Sequence, residues 1–599
     1  MALKSSVILA FIARLLMLVG LCSSPLIVAD AQRPPNVVLI LADDLGFTDL
    51  ASYGSEIQTP HLSALAKAGV SFSNYHTAAN CAPSRAMLLT GVDSHRAGVP
   101  NIPEMIPPEQ AAYSHYAGTL GDNVVTVATL LQDAGYHTYM AGKWHLGHSP
   151  GQLPSRRGFE RTLALGDSGA DNWQHKTYLP IYDRANWYAD GEEYQLPEEF
   201  YSSRFLVDKM IEFIDVNQHD GAPFFAYLPF QAVHIPVQAP EEFIDRYMGV
   251  YDGGWHLIRD QRQQRAIELG VVPAGTGMVE MASTAQWQAL SPVQQAYEAK
   301  RMAVYGAMVE AMDHHIGRLV AHLKRLGEYQ NTVFIFSSDN GAEAMGEAVQ
   351  NTWLNRWALA SRGYSVDYET LGLKGSFNTI SPSFASAAAS PLAYYKFYLG
   401  EGGMRVPMII AGERVPVKDQ FTAAFASVTD VAPTILAFTG VAPAPQRYGG
   451  RRVEPMIGRS LLPLVDGSAD AVYGKDDAVG FELAGHGALF MGQHKIVLNR
   501  GTHGDGQWHL FNIVLDPGET NDLSVENPLL LQRMLARYQE YVEDNKILPI
   551  PDGYRHGRQL VLNALQKRFA DEILIGFLLT LILLPFALAY RARLKRRPE

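Results

Sequence analysis

The feature of this chain that most constrains its fold is the apolar run at residues 35–42, in which Asn36 is the only polar residue. Because it lacks the polar alternation of a half-exposed strand, it predicts a strand that is buried on both faces. Further strand-like runs alternate along the chain with segments of helical spacing. The strand-like runs are 138–140, 224–228 and 332–336, and the helical segments are 60–69, 124–135 and 305–327. This alternation predicts an α/β fold with a large, mostly parallel sheet sandwiched by helices.

The length of 599 residues is too great for one small core and predicts a second, smaller domain. Short strand-like runs and one helical segment follow the Pro- and Gly-rich connector at 441–450. They lie at 478–483, 487–491, 494–498, 508–512 and 528–544. We therefore expect a large domain over residues 33–440 and a small C-terminal α+β domain over residues 441–556.

The two ends of the chain indicate export and a membrane anchor. Residues 1–31 resemble a signal peptide that ends in Ala29-Asp30-Ala31, although Arg14 leaves an uncleaved signal anchor open. Residues 573–590 are uncharged and reach roughly 27 Å as a helix, which is enough to span a bilayer. A linker over 557–572 precedes them, and the basic tail 591–599 follows.

The basic tail places the C-terminus in the cytoplasm, since positive residues stay on that side. The large domain is then periplasmic or extracellular, and the protein is anchored to the membrane through the C-terminal helix. A buried core helix is the alternative for residues 573–590. The net charge of −12 excludes nucleic acid as an expected partner.

Two acidic pairs stand directly after two of the predicted strands. Asp43 and Asp44 follow the first run, and Asp339 and Asn340 follow residues 332–338. Each pair alone also suits a turn or a helix cap. In mostly parallel sheets, ligands bind beyond the carboxyl ends of the strands. The side-chain oxygens of the two acidic pairs would converge there. An all-oxygen ligand set favours Ca²⁺, in preference to Mg²⁺.

Cys81 is the only cysteine outside the predicted signal peptide, and it opens the run Cys81-Ala82-Pro83-Ser84-Arg85. Pro83 suits the first turn of a helix and Gly91 can end it. Cys81 is therefore predicted at a helix N-terminus, where free backbone N–H groups favour an anion. Arg85 would lie one turn away on the same face. An inert, buried cysteine is the alternative.

These five residues have the Cys-x-Pro-Ser-Arg pattern of the type I sulfatases, which belong to the alkaline phosphatase-like superfamily. The chain resembles bacterial arylsulfatases in particular, from about residue 35 to about residue 523. Three further elements carry the resemblance: Gly-Lys-Trp-His-Leu-Gly around Lys143 and His145, His-Ile-Pro at His234, and Lys396 five residues before Glu401-Gly402-Gly403. Taken singly, each Lys would be a surface charge and each His a structural residue.

The resemblance implies a modified residue and a metal. In this family a maturation enzyme, the formylglycine-generating enzyme, oxidises the matching cysteine to formylglycine (3-oxoalanine). The implied modification lies at Cys81, and its hydrate would attack sulfur as the nucleophile. The implied metal ligands are Asp43, Asp44, Asp339, Asn340 and the modified Cys81.

The resemblance also implies roles for the cationic residues. Arg85 would stabilise the nucleophilic oxygen, while Lys143 and Lys396 would bind the sulfate group together with His234. Either His234 or Lys396 would protonate the leaving alcohol, and His145 would act as the base that expels sulfate. The expected reaction is hydrolysis of a small sulfate ester, with aryl sulfate and water giving phenol and sulfate.

Three rival functions remain open. A phosphodiester or phosphonate monoester hydrolase of the same superfamily would share the fold and the metal, although Lys143 and Lys396 favour sulfate. A Cys/His hydrolase with an unmodified thiolate would leave the acidic pairs unexplained. A membrane-tethered binding module without catalysis would not need all of these residues.

The long excursion at residues 341–395 is predicted to form a lid or a pocket wall over the site. Trp353, Trp357, Tyr394 and Tyr395 are its candidate aromatic contacts for a substrate ring. An inert insertion that packs on the core is the alternative.

Overall fold

The computed structural model describes residues 33–344 and 352–594. The predicted signal peptide, residues 345–351 of the excursion and residues 595–599 of the basic tail lie outside this part of the chain. The strands are β1 (Asn36–Ala42), β2 (Gly69–Phe72), β3 (Tyr75–His76), β4 (His137–Lys143), β5 (Arg161–Leu165), β6 (Trp187–Ala189), β7 (Glu192–Glu193), β8 (Phe224–Pro229), β9 (Thr332–Ser338), β10 (Met408–Ala411), β11 (Gln420–Thr422), β12 (Ala426–Ser427), β13 (Arg447–Tyr448), β14 (Arg451–Arg452), β15 (Ala478–Leu483), β16 (His486–Met491), β17 (His494–Leu498) and β18 (Trp508–Asn512).

The α-helices lie between and after these strands. Their bounds are Pro60–Lys67, Cys81–Thr90, Pro108–Ala111, Val127–Asp133, Ser202–Asn217, Glu241–Tyr247, Gly254–Glu268, Pro292–Arg325, Trp353–Ser361, Pro382–Ala388, Glu401–Met404, Val431–Thr439, Leu462–Val465, Pro528–Asp544 and His556–Leu594.

A ten-stranded sheet organises the large domain, with the order β11-β2-β10-β9-β1-β8-β4-β5-β6-β7. The five central strands, from β9 to β5, run parallel. Antiparallel pairs flank this centre, where β10 joins β9 on one side and β6 joins β5 on the other. The predicted α/β class is confirmed, and the sheet is parallel in its centre and mixed towards its edges.

Strand β1 lies in the middle of this sheet and is buried on both faces. Val38 and Ile40 belong to the core cluster on one face, and Val37 and Leu39 belong to the cluster on the other. Because alternate side chains of a strand point to opposite faces, a strand covered on both sides is apolar along nearly its whole length. Asn36, at the start of β1, is the exception, and its side chain accepts a hydrogen bond from the Phe224 N–H. The burial of both faces explains the apolar run from which the fold was predicted.

The longest helix of the large domain begins earlier than its apolar spacing predicts. It starts at Pro292, thirteen residues before the predicted start at Tyr305. Ser291 caps it in a capping box with Gln294, and its first turns are largely exposed and polar. An exposed turn has no apolar periodicity, so only the Ser-Pro start and the Gln three residues later mark this boundary.

The small C-terminal part contains a four-stranded antiparallel sheet, in the order β15-β16-β17-β18. Its strands lie at or within one residue of the predicted positions. The helix Pro528–Asp544 packs on it through a separate apolar cluster that includes Leu489, Ile496 and Met534. Because alternate side chains of a strand point to opposite faces, this helix covers one face of the sheet.

The last helix, His556–Leu594, joins the predicted linker and the predicted membrane span in one element. Among the residues that the structure describes, this is the one helix long and apolar enough to cross a membrane. Its apolar window, Leu574–Arg591, has a mean hydropathy of 2.0, and none of it is buried. A core helix would bury such a window, whereas this one is exposed over its whole length.

A buried ion network connects the C-terminal sheet with the large domain. Lys495 Nζ on β17 lies 2.9 Å from Glu401 Oε1 and 2.9 Å from Glu519 Oε1. On the other side of the network, Glu401 Oε2 lies 3.0 Å from His76 Nε2. Charges this deep are stable only when they are paired. Lys495 is therefore the shared cation of two buried carboxylates, and Arg405 Nη1 also lies 3.4 Å from Glu401 Oε2.

We predict that Lys495→Ala destabilises the protein by about 3–5 kcal/mol, because it leaves two buried carboxylates without their shared cation. Thermal and denaturant unfolding of the purified protein measure this change. Lys475→Ala removes an exposed lysine of the same domain and serves as the matched control, with an expected change within about 0.5 kcal/mol. Equal stability of the two variants would contradict the assignment.

Candidate active site

The acidic residues after β1 and β9 meet at one edge of the sheet. The register pairs Ala42 with Ser338, so that the residues after each strand are neighbours. The backbone N–H of Asp44 donates to Asp339 Oδ1 at 3.2 Å, and Asn340 Nδ2 donates to Asp44 Oδ1 at 2.7 Å. Asp44 has a φ of 65°, a left-handed conformation that Asp tolerates better than most residues.

Cys81 lies at this edge, at the start of the helix Cys81–Thr90. Asn80 caps the helix, and its Oδ1 accepts the Cys81 N–H at 2.8 Å. The thiol points to Asp44, with Sγ 3.6 Å from Oδ1. Burial, assisted by the nearby Asp339 carboxylate, raises the pKa of the Cys81 thiol well above its usual value. The unmodified side chain is therefore a poor thiolate nucleophile.

The chemistry of this cluster fits a hard divalent cation. Asn340 Oδ1 is buried and has no hydrogen-bond partner among the described residues. Burial, with added repulsion from Asp43, raises the pKa of Asp339 to about 7. A cation would relieve both conditions, since it accepts an amide oxygen as a ligand and stabilises crowded carboxylates. Asp43, Asp44, Asp339, Asn340 and residue 81 would hold it.

His234 approaches the same cluster from the loop after β8. Ligand atoms of Asp43, Asp44, Cys81 and His234 all lie within 4.8 Å of one another. His234 Nδ1 lies 2.6 Å from the backbone oxygen of Ile235, so that Nδ1 donates and Nε2 is left for the site. Burial lowers the pKa of His234 to about 4. The resemblance implies His234 at this centre as a sulfate-binding residue and candidate acid, and the structure brings its ring beside the predicted metal ligands.

Three buried cations surround the carboxylates. Arg85 Nε donates to Asp339 Oδ2 at 2.8 Å. Lys143 Nζ lies 2.8 Å from Asp43 Oδ2, and Lys396 Nζ lies 2.7 Å from Asp44 Oδ1. Burial alone would lower the pKa of each lysine, but the facing carboxylate raises it, so both amines are charged. Arg85, Lys143 and Lys396, all predicted from the sequence, therefore pair with the carboxylates that lie beside residue 81.

His145 is buried two residues after Lys143 and faces a carboxylate that the sequence did not reveal. Its Nε2 lies 3.5 Å from Glu104 Oε2, and Tyr182 donates to the other oxygen of Glu104 at 2.7 Å. Although burial would raise the pKa of Glu104, the His145 ring lowers it to about 2. Glu104 is therefore ionised and orients the ring of His145.

Two more residues of the site were missed. Glu343 Oε2 lies 3.3 Å from Lys396 Nζ, and Ser168 Oγ lies 3.3 Å from His234 Nε2. Neither residue stands in a recognisable motif or directly after a predicted strand. Only their contacts in the folded chain bring them to the site, so sequence reasoning had no signal for them.

A cavity of about 1,040 Å³ leads away from Lys396. The excursion forms part of its wall through Ala344, Leu359 and Tyr395, among others. The prediction of a pocket wall therefore agrees with the cavity. Of the four predicted aromatic contacts only Tyr395 lines it, and the predicted role of Trp353, Trp357 and Tyr394 is wrong. Both tryptophans lie outside the cavity lining, with exposed fractions of 79% and 65%, because they face away from it on the helix Trp353–Ser361.

Comparison with known proteins agrees with this site. The sulfatase family model matches residues 35–441 of the chain. The chain belongs to the sulfatase family, which confirms the resemblance drawn from the residues around Cys81. Membership supports hydrolysis of sulfate esters as the general reaction of the protein.

Two curated relatives cover most of the chain. An arylsulfatase of Klebsiella aerogenes is 36% identical over 72% of this chain and 92% of its own length. An uncharacterized sulfatase of Schizosaccharomyces pombe is 34% identical over 87% of this chain and 96% of its own. The second match extends beyond the family model into the C-terminal part.

Solved structures agree in fold. A crystal structure of Ps i-CgsB in complex with a neocarrahexaose has a TM-score of 0.61 and 24% identity, and it covers 90% of this chain and 99% of the other. At this identity the similarity supports the fold alone.

We predict that Glu104→Gln lowers activity and shifts the acid limb of the pH–rate profile to lower pH. Glu104 raises the pKa of His145, so that its loss lowers this pKa further and the neutral, basic imidazole persists in more acid solution. The pH dependence of kcat measures the shift. Glu109→Gln, at an exposed position of the same segment, should leave the profile unchanged. An unshifted profile in Glu104→Gln would remove this coupling.

Proposed function

We propose that this protein hydrolyses sulfate monoesters, with aryl sulfates as its substrates and formylglycine at position 81 as its nucleophile. The observation that carries the proposal is the convergence of the acidic ligands and three buried cations on residue 81. The three cations balance the three carboxylates, and a divalent cation held by these residues would give the centre the net positive charge that suits the anionic transition state of sulfuryl transfer.

The cations have complementary tasks. Arg85 is held by Asp339 and by the backbone oxygen of Lys143, which fixes its guanidinium beside residue 81. Lys143 and Lys396 hold their charges on either side, where they would bind the sulfuryl oxygens. A divalent cation, when bound, lowers the pKa of a coordinated hydroxyl and neutralises the carboxylates. We propose Ca²⁺ for this position, in preference to Mg²⁺.

The two imidazoles move protons. His234 Nε2 faces Asp44 at 3.6 Å. Because Nδ1 carries the proton of the neutral ring, His234 would protonate the leaving alcohol only from its imidazolium form, whereas Lys396 is already charged and is the alternative acid. His145, oriented by Glu104, would take a proton from residue 81 in the step that releases sulfate. Formylglycine, when hydrated, supplies both an attacking oxygen and the second hydroxyl that this release requires.

The same site geometry gives less support to the rival functions. An unmodified thiolate is disfavoured because Cys81 faces a carboxylate and has a raised pKa. A non-catalytic module has no use for buried, paired charges at every predicted position. A phosphodiester or phosphonate monoester hydrolase is the remaining alternative, since its substrate is also a monoanionic tetrahedron.

We predict that small aryl sulfates are hydrolysed faster than alkyl sulfates, phosphate monoesters or phosphodiesters. A phenolate leaves more readily than an alkoxide, and a phosphate monoester carries one more negative charge. If His234 is the acid, His234→Ala should impair poor leaving groups more than good ones. Values of kcat/KM over a leaving-group series for both proteins measure this difference.

Two results would count against this assignment. An equal loss over the whole leaving-group series would remove His234 from the role of acid. A preference for phosphodiesters over aryl sulfates would transfer the protein to the rival hydrolase class.

We predict that metal and activity are lost together in Asp43→Ala, because each charged ligand holds the cation in place. The loss of a catalytic cation costs several kcal/mol, and kcat should fall at least about a hundredfold. Metal analysis of the purified protein and restoration by Ca²⁺ or Mg²⁺ after chelation identify the ion. Asp252→Asn, at an exposed position, is the control. Active enzyme without a bound cation would refute the proposal.

We also propose that the helix His556–Leu594 anchors the catalytic domain in the membrane, with that domain periplasmic or extracellular. Truncation after Gln566 removes the apolar window Leu574–Arg591 and should release soluble, active protein. Truncation after Leu594 keeps the window and should leave the protein in the membrane fraction. Full-length protein that is soluble without detergent would contradict the anchor.

A further inference from the structure

The cavity that begins at Lys396 is much larger than a sulfate group or a single ring requires. Its volume of about 1,040 Å³ lies at the upper end of the roughly 300–1,000 Å³ that small-molecule sites occupy. Its lining includes Lys396, whose amine pairs with Asp44, and Ile235, the residue after His234. The rest of the cavity must therefore contact the alcohol portion of the substrate, which is the part that remains once the sulfate group is removed.

The interior of this cavity is mostly apolar, and its rim is basic. Leu179, Ile235 and Leu359 line it from the large domain. Arg500 and Arg555 also line it, and both are exposed. An entrance of this kind attracts an anionic head group by its charge, whereas the interior favours an apolar body.

One wall of the cavity belongs to the helix that carries the candidate membrane span. Leu560 and Val561 line the cavity, and the apolar window begins thirteen residues later at Leu574. With 1.5 Å per residue, the cavity lies about 20 Å along the helix from this window. Ala358 and Leu359 of the helix Trp353–Ser361 also line the cavity.

We infer that the substrate is an amphiphilic sulfate ester, whose apolar body lies between the helix Trp353–Ser361 and the first turns of the helix His556–Leu594. This inference rests on the proposed sulfatase function and deepens it. The sulfate lies at Lys396, and the apolar body extends towards Val561. The same helix that anchors the protein thus forms part of its specificity pocket.

A series of phenyl sulfates with para-alkyl chains, from methyl to hexyl, tests this inference in the full-length, metal-loaded enzyme. Each buried methylene stabilises the complex by up to about fourfold in affinity. KM should fall by roughly twofold for each added methylene, while kcat stays constant, because the chain binds equally well in the ground state and the transition state. Concentrations are kept below micelle formation.

Two matched pairs of variants locate the contact. Val561 lines the cavity and Leu562 does not, although their exposed fractions are similar at 51% and 46%. Ala358 and Ala360 form the same contrast on the helix Trp353–Ser361. Val561→Asn and Ala358→Asn should each raise KM several-fold more for the hexyl compound than for the methyl compound. Leu562→Asn and Ala360→Asn should change neither.

The possible outcomes distinguish a failure of the amphiphilic-substrate inference from a failure of the proposed sulfatase function. A KM that is independent of chain length, or that responds equally in all four variants, overturns the inference. A preference for sugar sulfates over alkylphenyl sulfates of similar size overturns it as well. If no sulfate is hydrolysed, the proposed function fails, and calorimetric binding of para-hexylphenyl sulfonate to the same variants decides the inference independently of turnover.

Discussion

The structure depends on the balance of buried charge around residue 81. Three carboxylates and three cations lie within a few ångströms of one another, all of them nearly inaccessible to water. Desolvation of so many ions is costly, and only their mutual pairing makes the arrangement stable. A site of this kind would not persist for stability alone, since an apolar core of the same volume would serve better. The charges are therefore best explained by the anion that they bind.

The fold brings these groups together through the parallel centre of its sheet. Asp43 and Asp339 follow adjacent strands, and Lys143 ends a third strand on the same edge. Cys81 lies at the start of a capped helix, Glu343 belongs to the excursion after β9, and Lys396 directly follows that excursion. The C-terminal part contributes to the cavity and is locked to the large domain through Lys495. The large domain thus supplies the residues of the reaction centre, whereas the C-terminal part supplies some of the residues that line the substrate cavity.

Much of this was predictable from the sequence because the responsible residues act locally or follow a strand. The apolar run of β1 predicts its central place, and the residues after it predict the acidic edge. Glu104 and Ser168 were not predictable, since only tertiary contacts bring them to His145 and His234. Trp353 and Trp357 were misjudged because aromatic content does not reveal which face of a helix meets the cavity.

The central claim is that residue 81 is formylglycine in the active protein. The most direct measurement is the mass of the tryptic peptide that ends at Arg85, taken from protein of known specific activity. The account predicts the mass of the oxoalanine form, together with reaction towards a hydrazide and no free thiol. Quantitative alkylation of Cys81 in a fully active sample would contradict it.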